Sequence, residues 1–357
     1  MSSTQAPAMT EPWNGPGNQD GILTEVLPHH NARHPNASRL AFEHWYFDAR
    51  LDNGLIVVGF LTKRRPEDLP LSRPWAEITV YYPDGTHRQI SQRYPAKATY
   101  FSAEKCSVRV GSNHADVDFS GELPCYQVHF EEQDVVLDLK FQNEVPPWLP
   151  GKGENHFHKG EVFGWCVGAP RARVSGTVSI DGERSEVTGI GYADHNWGVG
   201  DMRKVIDKWH WGRLYADEYT LLYAVVATQE AYGSTQIKPV MLARGGKIIA
   251  STGEAVFTEG PTQFNTDAGR NYPTWISLDI PGVFSVKLDV DEVLQGESLL
   301  EAIPVVGSPL LRPLMRKLVG NPGYFRFSSH FELSVPREDG SSDVRTGTTL
   351  HELVALR

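Results

Sequence analysis

The sequence predicts an almost all-β chain folded as two barrel-like halves. Short runs rich in Val, Ile, Thr, Tyr, Phe and Trp recur along it, bounded by Gly, Pro, Asp and Asn, which is the pattern of strands joined by tight turns. Helical periodicity is scarce. A length of 357 residues exceeds one ordinary domain.

Taken in order, residues 1–20 are polar and rich in Pro, Gly and Ser, without the cationic start and apolar run of a secretory signal, and read as a loose tail. Residues 76–82 alternate apolar with polar side chains, Pro83-Asp84-Gly85 supplies turn chemistry, and 86–92 returns as the second arm of a hairpin. Residues 171–180, the turn Asp181-Gly182 and residues 186–192 read likewise. Later strands are expected at 237–242, 275–280, 284–293, 324–335 and 348–356, and a short helix at 310–319.

One internal echo suggests duplication. His44-Trp45, Asp52 and Leu55-Ile56-Val57-Val58 align without a gap on His210-Trp211, Glu218 and Leu221-Leu222-Tyr223-Ala224, every pair separated by the same step along the chain. The echo places a boundary near 190–205, so the expected organisation is a tail at 1–20, a first half at 21–195 and a second at 196–357.

Bulk chemistry narrows the function classes. Hydrophobic residues at 40% and charged residues at 22% describe a globular chain. A net charge of −10 without a Lys/Arg cluster argues against nucleic acid and against an electrostatic membrane anchor. The longest apolar runs are strand-length, so no stable membrane insertion is expected. Cys106, Cys125 and Cys166 lack C-x-x-C spacing, which fits a reduced, cytoplasmic setting. A monomer is the expected state, with a homodimer as the alternative.

The richest concentration of titratable and aromatic groups is Gly191-Tyr192-Ala193-Asp194-His195-Asn196-Trp197-Gly198, followed by Trp209-His210-Trp211. A carboxyl desolvated by Trp and Tyr can remain protonated and act as a general acid, which makes Asp194, with His195 and Tyr192, the catalytic candidates. Alternatively, Asp194, His195 and Asn196 tie down a sharp turn while the tryptophans fill a core. Glu43-His44-Trp45-Tyr46-Phe47-Asp48 has similar content; its alternative is a strand with a buried aromatic face. Glu43, Trp45, Tyr46, Trp165, Asn196, Trp197, Trp209, Trp211 and Tyr223 are the expected substrate-binding residues.

Glu154, His156, His158 and Glu161 could offer metal ligands on one strand face, but in a Gly- and Pro-rich stretch they read as a solvated loop, so no metal is expected. Phosphate-binding glycine loops and a G-x-S-x-G elbow are absent from the sequence, which argues against nucleotide cofactors and serine hydrolase chemistry.

These blocks, together with Trp209-His210-Trp211-Gly212-Arg213, resemble the signatures of the carotenoid 1,2-hydratase (hydroxyneurosporene synthase) and AttH-like lipocalin-type family, from about Gly21 to Arg357. The resemblance implies two packed lipocalin-like antiparallel β-barrels with few short helices. It also implies hydrophobic substrates, since members hydrate isolated alkenes of polyenes or, in fungal enzymes, fold polyenes for Diels–Alder cyclisation without a cofactor. The family's hydratases place an acid two residues after a tyrosine that Tyr223 matches, and here Val225 stands in its place.

Because alkene protonation needs a well-placed donor while a cyclisation can proceed through shape and polarisation, this departure favours cyclisation or isomerisation. The expected protein is a cofactor-independent cyclase, isomerase or hydratase of secondary metabolism, holding a polyene, terpenoid or polyketide between its halves. The alternatives are a carotenoid 1,2-hydratase proper and a non-catalytic lipid or isoprenoid carrier.

Overall fold

In the first half, residues 135–141 bury Val135, Leu137, Leu139 and Phe141 and leave Asp138 and Lys140 outward, the period-2 alternation that makes a half-buried strand. The computed structural model describes residues 23–65, 68, 72–299 and 322–356. The tail at 1–20 and the helix expected at 310–319 lie outside the described residues. The described chain divides into two compact units, residues 23–201 and 202–356.

The first unit is built on β1 (Ala41–Leu51), β2 (Ile56–Arg64), β3 (Trp75–Tyr81), β4 (His87–Arg93), β5 (Thr99–Phe101) and β6 (Ser107–Val110). It continues with β7 (Asn113–Asp118), β8 (Cys125–Glu132), β9 (Val135–Asn143), β10 (Glu154–His156), β11 (Val162–Ile180) and β12 (Glu183–Val199). They form one curled antiparallel sheet in the order β4-β3-β2-β1-β12-β11-β9-β8-β7-β6-β5, with β10 beside β11. Its concave face carries a large apolar core that includes Trp45, Phe47, Leu61, Ile78, Phe130, Phe141 and Ala193.

The second unit follows a similar but shorter path. Its strands are β13 (Ile206–Ala216), β14 (Tyr219–Thr228), β15 (Gln236–Ile237), β16 (Val240–Arg244), β17 (Lys247–Thr252) and β18 (Val256–Glu259). They are followed by β19 (Thr262–Asn265), β20 (Arg270–Pro273), β21 (Trp275–Ile280), β22 (Phe284–Ser298), β23 (Gly323–Pro336) and β24 (Ser342–Ala355). The sheet order is β17-β16-β14-β13-β24-β23-β22-β21-β18, with β15 beside β14 and a separate β19–β20 hairpin. In both units the first strand pairs with the last, β1 with β12 and β13 with β24.

Both expected hairpins form. Asp181 and Gly182 adopt φ of 54° and 85°, the two positive values that a twisted two-residue connection requires. The expected strand at 237–242 is split between β15 and β16. The repeat is carried by topology rather than by the sequence echo. Leu51 and Ala216 end the core-facing rows of β1 and β13, yet the echo would match Leu51 with Asp217, one position beyond Ala216. The echo therefore aligns core-facing Trp45 with Trp211, which points away from the second core. Among the described residues the only α-helix is Met202–Val205, and no helix is long and apolar enough to cross a membrane.

Gly191 on β12 marks how closely the first core is packed: a Cβ there would meet Phe141 Cε1 at 2.4 Å and Val174 Cγ2 at 2.6 Å. Gly191→Val is expected to destabilise the protein by about 1–3 kcal/mol with its β-sheet circular dichroism retained. Unchanged urea midpoints would show that the core yields there.

Candidate functional site: two polar clusters on one strand

β12 is hydrogen-bonded on both edges, and its register sets Tyr46 opposite Asp194 and Trp45 opposite His195 on β1. Asp194, His195 and Asn196 lie within a strand rather than at a sharp turn, because the pairing with β1 runs through all three without a break; the pairing with β11 shifts register between Cys166 and Ala169, where Asp194 has no β11 partner. Successive side chains on a strand point to opposite faces. Asp194 and His195, adjacent in sequence, belong to two separate clusters.

The first cluster lies on the face away from the core. Asp194 is 8% exposed, and its carboxyl accepts three hydrogen bonds: from Tyr192 Oη at 2.8 Å, Trp165 Nε1 at 3.0 Å and Asn196 Nδ2 at 3.0 Å. Tyr46 shares this face, its ring 6.1 Å from that of Tyr192 and 4.9 Å from Phe60, and its hydroxyl donates to Asp48 Oδ2 at 2.6 Å. Four of the expected residues, Tyr46, Trp165, Tyr192 and Asn196, are thus gathered around Asp194.

The second cluster lies on the core side of the same strand. His195 is fully buried and stacks on Trp45, with ring centroids 4.2 Å apart and planes 6° from parallel. Its Nε2 lies 3.2 Å from Glu43 Oε1, which also accepts the His34 backbone N–H at 2.6 Å. The His34 ring stacks on Trp197 at 3.8 Å. Trp197 in turn crosses Gly164, where a Cβ would meet its ring at 2.1 Å, and donates to Glu154 Oε1 at 2.7 Å. Glu43, Trp45 and Trp197 accordingly accompany His195, not Asp194.

Burial works to raise the Glu43 carboxyl, but hydrogen bonding and attraction from His195 and the adjoining His34 outweigh it and hold the group at about 2. Burial pushes the His195 imidazole down to about 4 against the pull of Glu43. At neutral pH the pair is therefore a carboxylate facing a neutral ring that donates to it.

His34 was not anticipated from the sequence, although it ends the His-rich run His29-His30-Asn31-Ala32-Arg33-His34. It is brought in by the 3-10 turn Pro28–Asn31, which is pinned to the sheet by Trp45 Nε1 donating to Asn31 O at 3.1 Å and Asn31 Nδ2 donating to Tyr126 Oη at 2.9 Å. The stretch read as a solvated loop with Glu154, His156, His158 and Glu161 is in part strand β10, because its backbone pairs with β11 from Glu154 to His156.

In the second unit Trp211, Arg213 and Tyr215 form an outward ladder, with the Arg213 guanidinium 5.4 Å from the Trp211 ring and 5.9 Å from that of Tyr215. Trp209 shares their strand parity. Tyr223 instead lies in the second core, opposite Gly212. His210 points inward and meets Glu259 Oε1 at 2.8 Å, where Lys208 Nζ also binds at 2.7 Å.

Two antiparallel β units with similar strand paths, and a doubly paired strand carrying Asp-His-Asn-Trp at the heart of the first, define the class of protein. The chain belongs to the AttH-like family, whose model matches residues 71–301. It is 25% identical over 154 residues to the ceramide-binding protein svf1 of Schizosaccharomyces pombe, covering 42% of this chain and 40% of that one. It is 27% identical over 146 residues to the hydroxyneurosporene dehydrogenase of Chlorobaculum tepidum, covering 32% and 38%. The chain thus spans about two fifths of the length of these curated relatives.

Solved structures share the fold over nearly the whole chain. An AttH-type protein of Nitrosomonas europaea superposes with a TM-score of 0.61 at 17% identity, covering 94% of this chain and 98% of its own. CghA in complex with Sch210972 gives 0.62 at 15% identity, covering 100% and 98%. Kievitone hydratase of Nectria haematococca gives 0.57 at 15%, covering 98% of each chain.

The buried histidines make a prediction about acid. Burial lowers His195 to about 4, and burial followed by the neighbouring His210 lowers His351 to about 3, both below the ordinary value of 6.5. The unfolded chain then takes up protons first, so stability present above pH 6.5 falls as the pH drops toward 4, by at most about 1.4 kcal/mol per pH unit for each ring. His351→Gln should flatten this slope in denaturant titrations at stepped pH; an equally steep slope in the variant would remove His351 from the account.

Proposed function

We propose that the chain is an enzyme of natural-product biosynthesis that binds a hydrophobic polyene, terpenoid or polyketide and promotes its Diels–Alder-type cyclisation, isomerisation or hydration through its own side chains. The observation that carries this reading is the buried Asp194 carboxyl, held by Tyr192, Trp165 and Asn196 on a face lined by Tyr46 and Phe60. The AttH-like membership supports it. So does a fold shared with a hydratase.

In this reading an apolar substrate lies against the aromatic rings, which hold it in a near-reactive geometry; that positioning is the largest contribution available to an intramolecular bond formation. Asp194 holds or hands on the proton that isomerisation or hydration requires, and Tyr192, whose hydroxyl donates to that carboxyl, orients it and relays the proton. Asn196 and Trp165 fix the carboxyl. His195 acts from the other face of the strand as a positioning residue, with Glu43, Trp45 and Trp197.

A second reading, a lipid or isoprenoid carrier, is favoured by the likeness to a ceramide-binding protein. The test uses the full chain with a panel of linear conjugated polyenes and, separately, a ceramide, following binding by fluorescence and products by mass spectrometry. The enzyme reading expects Asp194→Asn to bind a polyene within about twofold of the parent while product formation falls about 10²–10⁴-fold. Binding of ceramide or polyene by both proteins with no product from either supports the carrier. Failure to bind either probe overturns both readings.

A further inference from the structure

The His195 cluster has a geometry that an ordinary buried ion pair does not require. His34 Nδ1, Glu43 Oε1 and His195 Nε2 are three potential ligand atoms lying within 4.8 Å of one another. Glu43 Oε1 is 3.2 Å from His195 Nε2 and 3.7 Å from His34 Nδ1. Around four-coordinate zinc, whose bonds to N and O run about 2.0–2.2 Å, adjacent ligand atoms stand about 3.3–3.5 Å apart. The two measured edges bracket that spacing. The longer edge, to His34, exceeds hydrogen-bond reach, and His34 Nδ1 has no hydrogen-bond partner although that atom is buried.

We propose that His34, Glu43 and His195 form a three-ligand site for a divalent cation of the zinc class, with a fourth coordination position left for water or a small ligand. Two imidazoles and one carboxylate match the N and O ligands that zinc takes. Each ring is set in advance, His195 by stacking on Trp45 at 4.2 Å and His34 by stacking on Trp197 at 3.8 Å, so little rotamer freedom is lost on binding. The carboxylate is oriented by the His34 backbone N–H on Oε1 at 2.6 Å. Oε1 retains a lone pair for the ion, and His195 offers its Nε2 lone pair once its ring proton moves to Nδ1, which makes no hydrogen bond among the described residues, so the site binds through one oxygen and two ring nitrogens.

Lys63 Nζ, 3.8 Å from Glu43 Oε2, sets a cation against the cluster. Its side chain is 34% exposed and turns to water when the ion arrives. Entry is past His34, whose side chain is 27% exposed while Glu43 is 2% and His195 0% exposed. The bound ion ties the loop after Pro28–Asn31 to β1 and β12, three segments remote in sequence. This site faces the core side of β12 and is independent of the reading given to Asp194.

The experiment uses the full chain stripped with a chelator. Calorimetric titration with zinc is expected to show one saturable site, cobalt to give the intense visible bands of a four-coordinate centre, and zinc to raise the melting temperature. His34→Phe keeps a ring on Trp197 and removes the nitrogen, and should weaken zinc at least about tenfold. Equal affinity in the variant, or no stoichiometric binding by the parent, overturns the proposal. X-ray absorption of the zinc-loaded parent reads the ligands without any substitution: two imidazoles with oxygen support the site, and sulfur or a single imidazole refutes it.

Discussion

β12 pairs with β1 without a break from Val199 back to Gly189 and with β11 on its other edge apart from two register shifts, opposite Asp194 and Tyr192, and much of the first unit's chemistry follows from that pairing. The unbroken β1 edge holds the strand in register, because a one-residue shift there would exchange every side chain between the faces. The core face demands Ala193, opposite Phe47, and the register that satisfies it sends Asp194 the other way. Hydrophobic packing thus decides where a carboxyl and an imidazole point, though neither takes part in the apolar core itself.

The consequence is a division of labour between neighbours. A buried carboxylate is costly unless its oxygens are satisfied. On one face Asp194 is satisfied by a phenol, an indole and an amide. On the other, Glu43 Oε1 is met by an imidazole and a backbone N–H, while Oε2 has, among the described residues, only the Lys63 ammonium at 3.8 Å. The second unit solves the same problem at its own first strand, where His210 meets Glu259 and Lys208 shares the carboxylate. Burial works to raise Glu259, and those two partners outweigh it, holding the group at about 2. In both units a buried histidine on a strand of the first–last pairing is matched to an acid; which strands supply the two residues differs.

Much of the fold was legible in the sequence because alternation and turn residues are local signals. The Asp181-Gly182 hairpin and the strands at 275–280 and 324–335 formed where the pattern placed them. The site was legible as a segment and not as an arrangement. The motif reads Tyr192 to Trp197 as one segment, whereas the period of two that a strand imposes sends its alternate residues to opposite faces. His34 could not be paired with Glu43 and His195 from sequence, since their meeting depends on a loop held by Asn31 against Trp45 and Tyr126, contacts between segments far apart along the chain. The echo between the halves marked the right hairpins but set β1 one position out of step with the facing pattern of β13, since it pairs core-facing Trp45 with outward Trp211.

The same geometry explains how one fold can serve relatives with such different names. A doubly paired central strand fixes its backbone almost regardless of the side chains on its outward face, provided the inward row still packs. Identity to the solved neighbours is only 15–17% while the fold extends over 94–100% of this chain, as expected if packing constrains the inward rows and little constrains the outward ones. The outward face of β12 is not free of constraint at Asp194 itself, since replacing that buried carboxyl would leave the Tyr192, Trp165 and Asn196 donors unpaired. Inward changes at His195 or Gly191 disturb the core first, because His195 stacks on Trp45 and a Cβ at Gly191 would meet Phe141, so the inward row of β12 is the one that packing holds in place.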